Sequence, residues 1–146
     1  MRQLFFLCTS LMGFLAVGQF SDSGKNWNTL AEVEYEKSSD EYGEIYVPKF
    51  GDKVQAMNGK TVSLSGFIIP FEGMFEPKHI ILSSLPIAAC FFCGGSGPET
   101  VAEAYLNEEV KYTAKPVTVT GRLELNDTDY DQLMYILKDA EVVIND

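Results

Sequence analysis

Two thiols separated by two residues are the part of this chain best suited to chemistry. Cys90-Phe91-Phe92-Cys93 runs directly into Gly94-Gly95-Ser96-Gly97-Pro98-Glu99. A pair at that spacing can close a disulfide on itself, exchange disulfides with another protein, or grip one thiophilic ion. Thiolates suit zinc and copper(I). A lone C-x-x-C supplies two ligands where structural zinc takes four, so the candidates to complete a set are Glu99, six residues beyond Cys93, and His79, the single histidine. A helix expected to start at Pro98 would favour a thiolate nearby by its N-terminal dipole. Redox dithiols, however, usually sit directly on such a helix start, and here four residues intervene. Three readings stay open: a soft-metal site of Cys90, Cys93, Glu99 and His79; a thiol–disulfide oxidoreductase acting through Cys90 or Cys93; and a structural disulfide with a partner surface elsewhere.

Other chemistries find little support. Heme attachment needs a histidine after Cys93, where glycine stands. Gly94 to Gly97 lacks the lysine and Ser/Thr that follow a nucleotide phosphate loop. The carboxylates form no pair spaced for acid–base work, and one histidine is too few for a catalytic triad assembled from sequence. The chain therefore reads as a binding module, with enzymatic activity left undecided.

The elements around the cysteines predict a mainly β fold. Asn58-Gly59 is a turn pair, and behind it Val62, Leu64, Gly66 and Ile68 alternate with polar residues up to Pro70, a period-2 strand. Lys78 to Leu85 and Pro116 to Leu125 read as further strands, with Val117, Val119, Gly121 and Leu123 on one face. Gly66 and Gly121 occupy matching mid-strand positions, where a glycine permits the sharp coil that a small barrel requires. Tyr130, Leu133, Met134 and Leu137 recur at helical spacing after the capping residues Asn126 to Thr128, which predicts a helix there. A second helix is expected from Pro98 through Leu106, and Glu141 to Ile144 as a short closing strand. The expected fold is a small five-stranded OB-like barrel over residues 53–146 with one or two short helices. Residues 19–52 are expected to form a flexible leader, to about Asn28, and then a lid.

The N-terminus predicts export. Met1-Arg2-Gln3 precedes an uncharged apolar stretch, Leu4 to Gly18, shorter than the ~20 residues that span a bilayer, with small residues Ala16 and Gly18 at its end. That is the pattern of a cleaved signal peptide over residues 1–18. Cys8 would leave with it, so Cys90 and Cys93 would be the two cysteines of a periplasmic or extracellular protein, in a compartment where disulfides persist. The formal net charge of −10 repels phosphate backbones and argues against nucleic acid as a partner. No later segment reads as a membrane span.

Asn58-Gly-Lys-Thr-Val-Ser-Leu-Ser-Gly-Phe-Ile-Ile-Pro70 resembles the G-K-x-V-x-L-x-G-[FY]-x-x-P opening of a family of small bacterial exported proteins, a domain of unknown function. Ile81 to Ser84, Cys90 to Gly94 and Gly97 to Val101 are similar to that family's central block. Val119 to Asn126 and Asp139 to Val142 resemble its end, and Trp27 with Leu30 its start. The resemblance implies an envelope location. Some relatives are encoded near metal-uptake or ABC transporter genes, which implies an envelope protein or transporter as partner and favours the metal reading. The family's block carries over to Cys90, Cys93, Gly94, Pro98 and Glu99, and does not include His79.

Overall fold

The computed structural model describes residues 19–20, 22–70 and 76–146; the expected signal peptide, residues 1–18, lies outside them. A five-stranded mixed barrel forms the body. Its strands are β4 (Thr61–Ile69), β5 (His79–Ser83), β6 (Val101–Leu106), β7 (Val117–Leu125) and β8 (Tyr135–Ile144). Before them come β1 (Gln19–Phe20), α1 (Ser23–Leu30), the hairpin β2 (Glu34–Asp40) and β3 (Gly43–Lys49), and one turn of helix, α2 (Asp52–Gln55). Around the barrel the order is β4-β5-β6-β8-β7, closing from β7 back onto β4. All neighbours are antiparallel except β6 and β8. This is the expected OB-like arrangement.

Strand β4 does double service, as its mid-strand glycine implied. Thr61 to Gly66 pair with β7, and Phe67 to Ile69 pair with β5. At Gly66, where the partner changes, a Cβ would run into the Ser83 carbonyl oxygen, so only glycine lets β5 approach. Gly121 lies at the matching irregularity between β7 and β8. Across that bulge sits Asp139, with φ +50°, which lets β8 coil enough to serve both β6 and β7. Val62, Leu64, Ile80, Leu82, Val117, Val119, Leu123 and Leu137 fill the interior. Full burial of such a side chain contributes about 1.5–3 kcal/mol. On the outer face, Ser63 bonds Thr120 and Ser65 bonds Thr118, each at 2.8 Å between hydroxyls.

Both helices expected in the barrel are strands or turns. The helical spacing from Tyr130 to Leu137 is coincidental. Residues 126–134 are a loop tied together by Asn126, whose amide donates to the Asp129, Gln132 and Leu133 carbonyls and accepts from the Thr128 and Asp129 N–H groups. The residue read as a helix cap thus organises a turn instead. The buried run Tyr135-Ile136-Leu137 then begins β8, which absorbs the short strand expected at Glu141–Ile144. Pro98 opens only a 3-10 turn, Pro98–Thr100, before β6. Pairing on both edges, with β5 and β8, overrides the helical preference of Ala102, Glu103 and Ala104.

Nor is the leader featureless. Asp22 caps α1 by accepting from the Lys25 N–H at 3.1 Å. Asn26 and Trp27 donate to the Ser63 and Ser65 carbonyls, at 2.9 and 2.7 Å. Those carbonyls face away from β7, on a stretch of β4 that β5 does not reach, so α1 closes that open edge. Leu30 is fully buried, and its carbonyl accepts from the Tyr135 hydroxyl at 2.6 Å. No helix among the described residues is long and apolar enough to cross a membrane.

Candidate functional site

The cysteines lie in the connection between β5 and β6, at the end of the barrel where Ser83 stops and Val101 begins. Two 3-10 turns, Ile87–Ala89 and Phe91–Cys93, meet at Cys90. The Cys90 carbonyl accepts from both Cys93 N–H (3.1 Å) and Gly95 N–H (3.2 Å), which folds the segment back on itself. Gly94 ends the turn at φ +79°, and a Cβ on Gly95 would stand 2.7 Å from the Ala89 carbonyl oxygen. The glycines therefore set a fixed, tight crossing; a free hinge would not need that contact. The far end is held by Ser84 N–H on the Thr100 carbonyl, and by the Thr100 hydroxyl on the Gly97 carbonyl at 2.7 Å.

Both cysteines are free thiols, with Cys90 buried and Cys93 exposed. Their sulfurs are 3.8 Å apart, in thiol–thiol hydrogen-bond contact. The neighbouring Cys90 thiol holds the Cys93 thiol above its ordinary pKa, and desolvation adds to the effect. A thiolate-stabilising helix start was expected behind the cysteines; the three-residue turn at Pro98 is too short to provide its dipole.

Glu99 belongs to the same loop but faces a different neighbour. Its carboxylate accepts from the Tyr35 hydroxyl of β2 at 3.0 Å and folds back so closely that a Cβ on Gly97 would collide with it. Burial raises the Tyr35 phenol well above its usual pKa, and the hydrogen bond and charge of Glu99 raise it further. Tyr135 is raised as well, by burial first and then by Tyr35 and Glu99. Glu99 thus anchors the hairpin to the cysteine loop.

His79 stands at the opposite end of β5, four residues from Ser83, or about 13 Å along an extended strand. It pairs with Tyr105 across β6 and stacks on that ring, centroids 4.3 Å apart. Its Nε2 is 3.2 Å from Glu103 Oε1, and the other Glu103 oxygen accepts from the Leu133 N–H. Lys138 Nζ lies 3.8 Å from the Tyr105 ring centroid, and Gln132 donates to the Tyr105 hydroxyl. The turns of the loop therefore bring Cys90 and Cys93 together and leave Glu99 on the same loop but against Tyr35, while the strand register puts His79 in a separate cluster. Among the described residues no three His, Cys, Asp or Glu side chains gather at metal-binding spacing. Tyr35 and Glu103 carried no signal in the sequence, because their partners lie 64 and 24 residues away.

No family model matches the chain, and no curated protein matches it. Among solved structures, the crystal structure of a DUF3299 family protein from Pseudomonas aeruginosa PAO1 is similar, at 17% sequence identity and a TM-score of 0.49. The similarity covers 64% of this chain and 66% of that one, so the chain spans just under two thirds of that protein's length.

Proposed function

We propose that this is an exported, non-enzymatic binding module whose working site is the Cys90–Cys93 pair, and that the pair takes a soft cation, zinc or copper(I). The observation that carries this reading is the sulfur separation. Two thiolates bound at ~2.3 Å to one tetrahedral ion sit about 3.8 Å apart, and the free thiols are 3.8 Å apart. Cation binding would thus need little rearrangement of a loop already fixed by Gly95 and the Cys90 carbonyl. Copper(I) held by the two thiolates alone would draw the sulfurs wider, toward a linear arrangement, so the observed separation suits a tetrahedral ion best. Zinc would draw its remaining ligands from Glu99, released from Tyr35, or from a partner. His79 at the other end of the strand is a poor candidate for either ion. Exposure of Cys93 beside a buried Cys90 suits handover of the ion to an envelope protein or transporter.

Titration of the reduced protein with zinc or copper(I), against a chromogenic chelator, tests this. One equivalent should be withdrawn from the chelator by the wild type and by His79→Ala, and none by Cys90→Ala or Cys93→Ala. Failure of the wild type to compete with even a weak chelator contradicts the proposal.

One observation favours a second reading, a reversible Cys90–Cys93 disulfide. A surface thiol in contact with a buried one is the arrangement in which the first attacks a partner and the second resolves the mixed disulfide. Closing the pair needs the sulfurs to approach to about 2.05 Å. The raised Cys93 pKa counts against fast attack at neutral pH. Trapping of a mixed disulfide through Cys93 in a Cys90→Ala variant would favour this reading over metal binding.

A further inference from the structure

A cleft of about 790 Å³, lined by no residue of the cysteine loop, opens between the tip of the β2–β3 hairpin and the 126–134 loop. Three tyrosines line it, Tyr42, Tyr46 and Tyr130, which are 89%, 65% and 64% exposed. The carboxylates of Asp40, Glu44, Asp129 and Asp131 stand among them, with no lysine or arginine in the lining. Lys37 reaches one of the four, pairing with Glu44 at 2.6 Å. Asp40 is oriented by accepting from the Tyr42 and Gly43 N–H groups, and Asp129 by accepting from the Asp131 N–H.

We infer that this cleft docks a lysine- or arginine-bearing polypeptide segment of another protein. The charge and the aromatic faces agree on that occupant. Carboxylates attract a cationic side chain, and tyrosine rings bind the same group through cation–π contact. Exposed aromatics clustered in a concave surface are what protein interfaces are enriched in, and three of them at one cleft exceed scattered surface exposure. Asp40 and Asp129 are held by their own turns before anything binds, which limits the ordering cost. A second copy of this chain fits poorly, since 21 acidic residues face 11 basic ones and like molecules repel. Nucleic acid and anionic membrane surfaces are repelled for the same reason. The inference is independent of the cysteine pair.

The test is fluorescence anisotropy on the full chain at physiological salt, with a labelled peptide of alternating arginine and glycine as probe and its glutamate counterpart as control. The arginine peptide should bind and the glutamate peptide should not. Tyr42→Ser with Tyr130→Ser should weaken binding about tenfold. Both side chains are largely exposed, and an unchanged melting temperature would verify that the fold is kept. Glu108→Gln with Glu109→Gln removes two charges outside the cleft, where the tyrosine pair removes none, and should change affinity less than about twofold. No binding of the arginine peptide overturns the inference. So does equal weakening by the two pairs of substitutions, which would mean unspecific attraction to an acidic protein.

Discussion

The strand pair β5–β6 carries a polar cluster at each end, and the two differ in how far their groups are already engaged. At the His79 end, Glu103 accepts from His79 and Leu133, while Tyr105 lies against the His79 ring and under Lys138. A carboxylate buried to 7% exposure is tolerated there because both of its oxygens have donors. That cluster fastens the 126–134 loop to the outer wall of the barrel. At the Cys90 end, the thiols face each other with one of them at the surface, and nearby Glu99 is occupied by Tyr35. The backbone of that loop is held by its own hydrogen bonds, and Cys93 presents its thiol at the surface while Cys90 is buried. One end ties a loop to the barrel wall, and the other presents a free thiol.

Substitutions should separate the two ends. Largest is Cys90→Ala, which should lower zinc or copper(I) affinity on the order of 100-fold by removing one of two thiolates. Because a buried cysteine packs as a small apolar group, the accompanying change in melting temperature should be small. Glu103→Ala should act in the opposite way. It strands the Leu133 N–H and removes the His79 partner, costing about 1–3 kcal/mol in urea unfolding, while cation affinity stays at the wild-type value. If Glu103→Ala weakened cation binding as much as Cys90→Ala, the two ends would not be separate sites.

Gly95→Ala should sharpen the contrast, because its Cβ presses on the Ala89 backbone and must shift the loop. Cation affinity should fall roughly tenfold for a loss of about 1 kcal/mol in stability. The smallest effect is His79→Gln, expected within about 1 kcal/mol because the histidine is a third exposed and glutamine keeps a donor for Glu103.

Alkaline titration probes the hairpin anchor. Tyr35 and Tyr135 have raised pKa values in the folded chain, so the folded state holds those protons more tightly than the unfolded state does. Their contribution to stability is complete below the unfolded phenol pKa of about 10 and declines as pH rises beyond it. Thermal unfolding should therefore drop above that pH. In the Tyr135→Phe variant, less stable at neutral pH, the drop should be shallower.

The barrel was legible in sequence where a strand has one dry and one wet face. Val62 to Ile68 and Val117 to Leu123 alternate cleanly, and Gly66 and Gly121 marked the bends before any pairing was known. Legibility failed where the burial pattern is not alternating. In β6, four consecutive residues from Val101 to Ala104 are buried, because the 126–134 loop covers the outer face that water would otherwise wet. Leu133, Met134 and Leu137 mimic a helix face while belonging to a loop and a strand. The cysteine pair was legible because its contact is local. The role of His79 was not, since Glu103 and Tyr105 meet it only through the register of β5 and β6.

The most direct measurement is native mass spectrometry of the protein recovered without chelator or reductant, beside its Cys90→Ala variant. The account predicts one zinc or copper adduct on the wild type that is absent from the variant. A bare chain lighter by two hydrogens, with no adduct even after reduction and metal addition, would contradict it and leave Cys90–Cys93 as a disulfide.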